Sequence, residues 1–411
     1  MTTDYEFRLA TDEDWPAVWA RLAEAFHEDA NDEEGQETAE LERSVWEPAR
    51  SIVATRDGDV AGMVSTFTRD LMVPGGSVPA SHVTMVNVGA THRRQGLLRH
   101  MIEKLHMDSL ALGEPVAVLY ASEGRIYQRF GYGLASRALL IEANSAEVSL
   151  RDSGPDDGRV RAVAPDSLDI FQKVFEEALA DRPGWSARDD RWWRYQTADV
   201  KAVRGGATPL RAVVHDGPGG VDGYLLWRAK SEWTEGGPKG KAIIREFVAV
   251  TPEAYRALWR FALSIDLTRS TRYRFASIDE PIQFLVNEPR WLDMRLSDGL
   301  WVRLLDVAGA LAARRYAAPV DVVIEVLDDG MTANAGRFRL VGDPHRATCT
   351  PTDAPADLEA TVQALGAAYL GGSPLTAFAA GGGVRELRPG TLVAASTAFG
   401  WHRAPNSIEM F

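Results

Sequence analysis

Cysteine is nearly absent: Cys349 is the only one in 411 residues. That excludes an intramolecular disulfide framework and fits a reducing cytoplasm, the expected location; such a cysteine reads as a small buried hydrophobe. Long apolar runs are missing too. None approaches the roughly 20 residues that a helix needs to cross a bilayer, so no membrane association is expected. The start, Met1-Thr2-Thr3-Asp4-Tyr5, has neither the basic nor the apolar stretch of a signal peptide. Positive charge is in deficit, with 45 Lys and Arg against 58 Asp and Glu and a net charge of −13. This argues against a nucleic-acid binder, which needs basic surface to neutralise phosphates, and is compatible with a cationic ligand. Chelating histidines are lacking as well. His92, His100 and His106 stand eight and six residues apart, not at i,i+4, and no metal is expected.

What is present is an α/β pattern over a length that suggests two or three domains. Asp12-Glu13-Asp14 before Trp15-Pro16 is an acidic first turn, and the helix is predicted to run through Val18, Leu22 and Phe26. Strands over 52–55 and 60–67 flank Arg56-Asp57-Gly58-Asp59, a hairpin signal. A strand over 83–88 leads into a turn and a helix carrying Leu97, Leu98, Met101, Ile102 and Leu105. A strand over 116–120 and a short helix over 123–130, capped by Gly131, follow. Residues 144–160, with Ser153-Gly154-Pro155 and Asp156-Asp157-Gly158, read as a linker or exposed loop.

A second α/β stretch begins with a helix striped by Ile170, Phe171, Val174, Phe175 and Leu179, followed by strands over 210–214, 224–227 and 243–250. Arg191-Trp192-Trp193-Arg194-Tyr195 reads as an aromatic core or interface patch. The two halves contain an internal repeat: 83–88, loop, helix and 116–120 resemble 247–250, loop, helix (254–263) and 273–278. In equal steps from Val88 and Val250, Arg93 meets Tyr255, Arg94 meets Arg256 and Gly96 meets Leu258. The second copy is therefore expected to keep the frame and lose the glycine. The last part opens at Gly299-Leu300-Trp301-Val302, with strands over 320–326 and 338–341 joined through Asp328-Asp329-Gly330. A helix over 358–370 and a break at Gly381-Gly382-Gly383 complete a small α+β unit. The chain stops at Ile408-Glu409-Met410-Phe411, without polar fraying.

Arg93-Arg94-Gln95-Gly96-Leu97-Leu98 lies between a β-branched strand and an amphipathic helix. Such a turn directs backbone N–H groups and a helix dipole at an anion, Gly96 permits close approach, and the arginines add forked donors. This arrangement suits a pyrophosphate without a Walker lysine; alone, it is equally an exposed basic helix cap.

The segment resembles the phosphate loop of the GCN5-related N-acetyltransferases (GNAT), followed at normal distance by Ile126-Tyr127-Gln128-Arg129-Phe130-Gly131-Tyr132. Leu98 departs from the Gly or Ala usual there. The stretches Thr91-His92-Arg93-Arg94-Gln95-Gly96-Leu97-Leu98-Arg99, Ala121-Ser122-Glu123-Gly124-Arg125-Ile126-Tyr127, Asp298-Gly299-Leu300-Trp301-Val302-Arg303 and Cys349-Thr350-Pro351-Thr352-Asp353-Ala354 are similar to the enhanced intracellular survival (Eis) acetyltransferases, in order and spacing. Ala90 stands where relatives often have Pro. The resemblance implies an α/β (α+β) chain: a catalytic GNAT domain over 1–150, a degenerate GNAT-like domain over 158–297 and a sterol-carrier-protein-like α+β domain over 298–411. It also implies a homo-hexamer and acetylation of several amines on one acceptor, notably aminoglycosides; polyamines and lysine side chains are the alternative cationic acceptors.

Acetyl-CoA is then the cosubstrate. Its expected contacts are Val86, Asn87 and Val88 at the strand end, Arg93, Arg94, Gln95, Gly96, Leu97 and Leu98 on the turn, and Ser122 beyond the next strand. A free amine attacks the thioester carbonyl, the oxyanion needs a donor and the leaving thiolate needs a proton. Tyr127, with an unperturbed pKa of about 10, suits the acid; the resemblance gives it that role and makes the terminal carboxylate of Phe411 the base. For the cationic acceptor, the stretch 24–47 holds ten Asp and Glu against one Arg, most of them an ordinary solvated face. Phe26, Glu28, Asp29 and Glu409 are the selected contacts. Two other classes fit the sequence less well: an amine-sequestering sensor that binds acetyl-CoA without turnover, and a lipid carrier.

Overall fold

The computed structural model describes residues 4–151 and 158–411. Met1-Thr2-Thr3 and, in the expected linker, Ser153-Gly154-Pro155 and Asp156-Asp157 lie outside the described residues. The chain starts with strand β1 (Glu6–Leu9) and helices α1 (Trp15–Phe26) and α2 (Glu33–Arg43). The predicted hairpin forms between β2 (Ser51–Arg56) and β3 (Asp59–Val73), turning at Asp57 and Gly58 with φ of 53° and 91°. β4 (Gly76–Val88), α3 (Leu97–Ala111) and β5 (Val116–Tyr120) make a parallel crossover. A short helix α4 (Gly124–Gln128) and β6 (Gly133–Leu134) follow.

Sheet membership then crosses the expected divisions at 150 and 297. β7 (Arg137–Asn144) leaves the first sheet and enters a second, which also contains β8 (Arg159–Val163), β9 (Arg211–Gly217) and β10 (Gly220–Lys230). Helices α5 (Leu168–Leu179) and α6 (Asp190–Gln196) lie between β8 and β9; the hairpin β11 (Trp233–Thr234) and β12 (Gly237–Pro238) precedes β13 (Gly240–Ala249). β13, α7 (Pro252–Leu263) and β14 (Thr268–Ala276) repeat the parallel crossover of β4 and β5. After α8 (Ile282–Leu285), β15 (Arg295–Asp298) pairs with β7, whereas β16 (Leu300–Leu304) returns to sit between β5 and β6. The first sheet is therefore complete only at residue 304. The exchange closes an edge of β5 that would otherwise expose unpaired backbone groups. It passes at Gly299, where a side chain would meet Ser136 Oγ at 2.6 Å.

The third unit has α9 (Val307–Ala313), β17 (Val320–Leu327), β18 (Gly336–Gly342), β19 (Ala347–Pro351), β20 (Leu358–Thr361), α10 (Val362–Ala368), α11 (Leu375–Ala379), β21 (Val384–Glu386) and α12 (Thr391–Phe399). The helix expected over 358–370 starts four residues late, because 358–361 forms a strand parallel to β17 with alternating burial. Thr361 caps α10 by accepting from the Ala364 amide at 3.2 Å. This unit shares one apolar core with the first sheet, including Val118, Val302 and Leu304 with Val322, Ile324, Leu365 and Tyr369. Cys349 is buried in it, and burial pushes its thiol up to about 12. The other face of the sheet, with Ala117 and Leu119, packs against Leu97, Met101 and Leu105 of α3 and against Tyr127. Among the described residues no helix is long and apolar enough to cross a membrane.

The two outer units are locked by Arg303 of β16, whose Nη2 donates to both oxygens of Asp328 at 2.9 and 2.7 Å with side chains 1% and 2% exposed. Asp328→Ala leaves that guanidinium buried without a counter-charge, so unfolding in denaturant is expected to show a loss of about 3–5 kcal/mol. A midpoint within experimental error of the native one would mean that water already solvates Arg303.

Candidate active site

The parallel ladder between β4 and β5 holds only from Ala80↔Val116 to His82↔Val118. Beyond it β4 carries a bulge, with Met63 opposite Asn87 and Ser65 opposite Thr84, so that Met85 and Val86 share one partner position. Met85 takes a left-handed φ of 50° there. A bulge bends its strand and ends local pairing, and here it opens a gap flanked by Val86, Asn87 and Val88. Asn87 is buried, its Nδ2 donates to Met85 O at 3.3 Å, and its Oδ1 has no partner among the described residues. An orphaned acceptor at that gap fits an amide N–H such as those along a pantetheine arm.

The turn that follows enters α3 through two left-handed residues, Arg94 (φ 63°) and Gly96 (φ 90°, the N-cap). The glycine makes that cap accessible without steric cost, and the first amides of α3 face outward as an anion site. Arg93 and Arg94 are exposed and form no ion pair among the described residues. Leu97 is 1% exposed and anchors the helix in the core, so only its backbone is available to a ligand, while Leu98 is half-buried. Gln95 is held in place: the Tyr5 hydroxyl donates to its Oε1 at 3.2 Å and lies 2.9 Å from His92 Nδ1. This link from Tyr5, the residue just before β1, to the turn had no signal in the sequence.

Tyr127 sits on α4, buried on the α3 face of the sheet. Burial pushes its phenol up to about 12, the charge of Glu123 adds to the shift, and the Ser122 hydroxyl works against it. α4 rests directly on β16, since a side chain at Gly124 would meet Trp301 Cζ2 at 2.9 Å and one at Gly131 would meet Arg303 Nη1 at 2.7 Å.

Phe411 lies on the opposite face. Its ring meets His82 at 4.7 Å and Tyr120 at 5.7 Å, edge to face in both cases, and packs beside Val45, Phe67, Trp192 and Tyr195. His82 and Tyr120 flank the point where β4 and β5 part. Tyr127 and the chain end therefore sit on opposite faces of the first sheet. His82 is fully buried between Ala80 O (3.1 Å) and Ser186 Oγ (2.7 Å), and burial together with the Arg69 charge lowers it to about 3. It is neutral at any working pH.

The selected acceptor contacts separate. Phe26 is 54% exposed and Glu28 and Asp29 are also at the surface, just past the left-handed cap His27 of α1. Glu409 is 2% exposed and paired with Arg69 and Arg188, which hold its carboxyl below the usual carboxylate range against the effect of burial. That placement makes it an anchor of the tail. The acidic residue that does face the aromatic wall is Glu42, half-buried, accepting from the Tyr195 hydroxyl at 2.7 Å and paired with no cation among the described residues. Burial raises its pKa, and the nearby Glu28 charge adds to the rise.

In the second unit the parallel ladder of β13 and β14 ends at Ile244, six residues before Val250, as that of β4 ends at His82, six before Val88. The splay is thus repeated, but α7 starts at Pro252 straight after its cap Thr251. Leu258, the counterpart counted for Gly96, is in the helix interior and fully buried, so the whole turn is missing and not the glycine alone. Phe247, Tyr255, Trp259 and Tyr273 cluster there, with ring centroids 5.2 to 6.3 Å apart. Trp192 and Trp193, expected in a core or interface, do both: Trp192 meets Phe67 of the first sheet at 5.0 Å and Trp193 meets Phe175 at 5.2 Å.

GNAT acetyltransferase family models match residues 6–135 and 184–304, and a sterol carrier protein domain model matches 307–407. Fold and site together define an N-acetyltransferase with two GNAT units and a sterol-carrier-like third, which implies use of acetyl-CoA. An uncharacterized N-acetyltransferase of Streptomyces avermitilis is 44% identical over 409 residues, 98% of each chain. N-acetyltransferase Eis of Mycobacterium tuberculosis is 34% identical over 390 residues, 91% of this chain and 92% of its own. The crystal structure of Eis1 from Mycobacterium abscessus is similar with a TM-score of 0.84 at 29% identity, over 99% of this chain and 100% of that one. The chain belongs to the Eis family of N-acetyltransferases.

Proposed function

We propose that the protein transfers acetyl groups from acetyl-CoA to primary amines of a polycationic acceptor, with Tyr127 as general acid and the Phe411 terminal carboxylate as general base. The observation that carries this reading is the parting of β4 from β5 at His82, where the Phe411 ring packs, with Tyr127 on the opposite face of the same sheet. Phe411 takes a proton from the acceptor ammonium, directly or through water. The freed amine adds to the thioester carbonyl, and an amide N–H of the bulged strand 85–88 donates to the oxyanion. As the C–S bond breaks, the Tyr127 phenol gives its proton to sulfur; the adduct nitrogen sheds its second proton, which returns through water to the Tyr127 oxygen, and Phe411 releases the first to solvent. The products are the N-acetyl amine and free CoA.

Glu42, with Glu28 nearby, supports a cationic acceptor, because a half-buried carboxylate without a counter-ion attracts one. Aminoglycosides, polyamines and lysine side chains share that chemistry, and an aminoglycoside presents several such amines at once. Phe284, Leu296 and Trp291 on the second unit are 73%, 62% and 47% exposed, apolar side chains that self-association would cover, here proposed as a homo-hexamer in the cytoplasm. A lipid carrier would need an open apolar interior; Leu365, Tyr369 and Leu370 are wholly buried in the third unit's core.

Calorimetry with acetyl-CoA tests the cofactor side. Arg94→Ala is expected to weaken binding about tenfold, the loss of one charge-assisted contact. Gly96→Leu is expected to weaken it more, since a side chain there is strained at positive φ and blocks the approach to the α3 amides. Unchanged affinity in both would put the nucleotide elsewhere.

A further inference from the structure

Two residues before the chain ends, Glu409 is bridged by arginines from two different units. Arg69 of β3 holds one carboxylate oxygen, and its guanidinium stacks 4.2 Å from the Trp192 ring. Arg188, in the segment leading to α6, donates from Nε to the other oxygen at 2.7 Å. The same guanidinium pairs with both oxygens of Glu246 on β13, at 3.0 and 2.7 Å, and lies 4.4 Å from Phe175 and 4.7 Å from Trp193. The Tyr224 hydroxyl donates to Glu246 in turn. Two positive and two negative charges alternate along this buried chain of ion pairs. Gln196, the last residue of α6, adds a bond from Nε2 to Met410 O at 3.3 Å. Beyond that carbonyl the tail has the ring contacts of Phe411 with His82 and Tyr120 to direct it.

We propose that the second unit serves as the dock for the chain end, with Arg188 as the positioning residue that aims the Phe411 carboxylate at the opening between β4 and β5. The second unit has the splay without the phosphate turn, and its strand β13, the counterpart of β4, contributes Glu246 to the clamp. Released from the clamp, the last two residues sweep about 7 Å of reach, more than enough to take the carboxylate out of contact with an amine. The inference rests on the reading of Phe411 as base, and its test separates the two.

The full-length enzyme and its Arg188→Met and Glu409→Gln variants are compared in three measurements: acetyl-CoA affinity by calorimetry, kcat and KM with an aminoglycoside acceptor, and release of Phe411 by carboxypeptidase followed by mass spectrometry. The expected result is acetyl-CoA affinity within about twofold of native, kcat lower by about 10²-fold, and Phe411 release faster by on the order of a hundredfold, as local opening at a broken buried charge pair implies. Glu409→Gln keeps the shape of the tail, so it decides the matter if Arg188→Met does not fold. A tail as protected as native in the folded variants overturns the dock. A tail released with kcat unchanged leaves the dock standing and overturns the terminal base.

Discussion

A Phe411 amide, made by semisynthesis, is expected to bind acetyl-CoA as the native enzyme does and to lose at least about 10²-fold in kcat, the lower end of what a general base contributes. The amide preserves the ring that packs against His82 and Tyr120 and the neighbouring clamp on Glu409, and it removes the charge and the basicity alone. A chain-terminal carboxylate has an ordinary pKa of about 3.5, far below that of an alkylammonium. It works as a base only if burial beside those aromatic rings raises it or a water passes the proton onward, and the amide removes either route. Extending the chain past Phe411 would be a weaker test, because added residues also fill the opening by bulk. Should the amidated enzyme run at the native rate, the base is a side chain. Glu409 is then a poor candidate, with Arg69 and Arg188 on its two oxygens, and Glu42, which no cation among the described residues neutralises, is the better one.

The parts legible in the sequence were those written in local chemistry. The Asp57-Gly58 hairpin, the crossover from β4 through α3 to β5 and the left-handed Gly131 after α4 each follow from residues a few positions apart. The exchange of β7 and β16 was not legible, because strands such as Arg137–Asn144 and the wholly buried Leu300–Leu304 read the same whichever sheet they join. Leu358-Glu359-Ala360-Thr361 is missed for a related reason: four residues ahead of a helix are too short a stretch for period-two alternation to mark a strand.

The site divides in the same way. The turn at Gly96 and the helix of Tyr127 could be placed from motif and spacing, while the residues that arrange them act from far away in the chain. Tyr195 reaches Glu42 across 153 positions, and Arg188 reaches Glu409 across 221. No periodicity connects such pairs. Within the acidic stretch 24–47, Phe26, Glu28 and Asp29 are exposed while Glu42 is turned toward the aromatic wall, a difference that helical spacing alone does not show. The repeat count was correct in frame and misleading in detail, because equal steps assume equal loops and α7 has none before it.

Tyr127→Phe is expected to lower kcat by about 10²-fold while acetyl-CoA affinity stays within about twofold. The low end of the range for general acids applies for two reasons. A thiolate leaves tolerably without help, and a phenol raised to about 12 by burial is a reluctant donor, so its hydrogen bond to the developing sulfur charge does as much as full proton transfer. The same elevation fixes the pH dependence. The phenol stays protonated at every pH below about 12, so Tyr127 contributes no alkaline limb between pH 7 and 10, and native and phenylalanine enzymes should show parallel profiles there. Phenylalanine fills nearly the same volume against Tyr132, at 6.0 Å between rings, and the packing of α4 on Trp301 is untouched, so the melting temperature should hardly move. Steady-state kinetics with thiol release as the readout decides the matter. A variant that turns over at the native rate would leave Tyr127 as core packing and return the leaving thiolate to solvent for its proton.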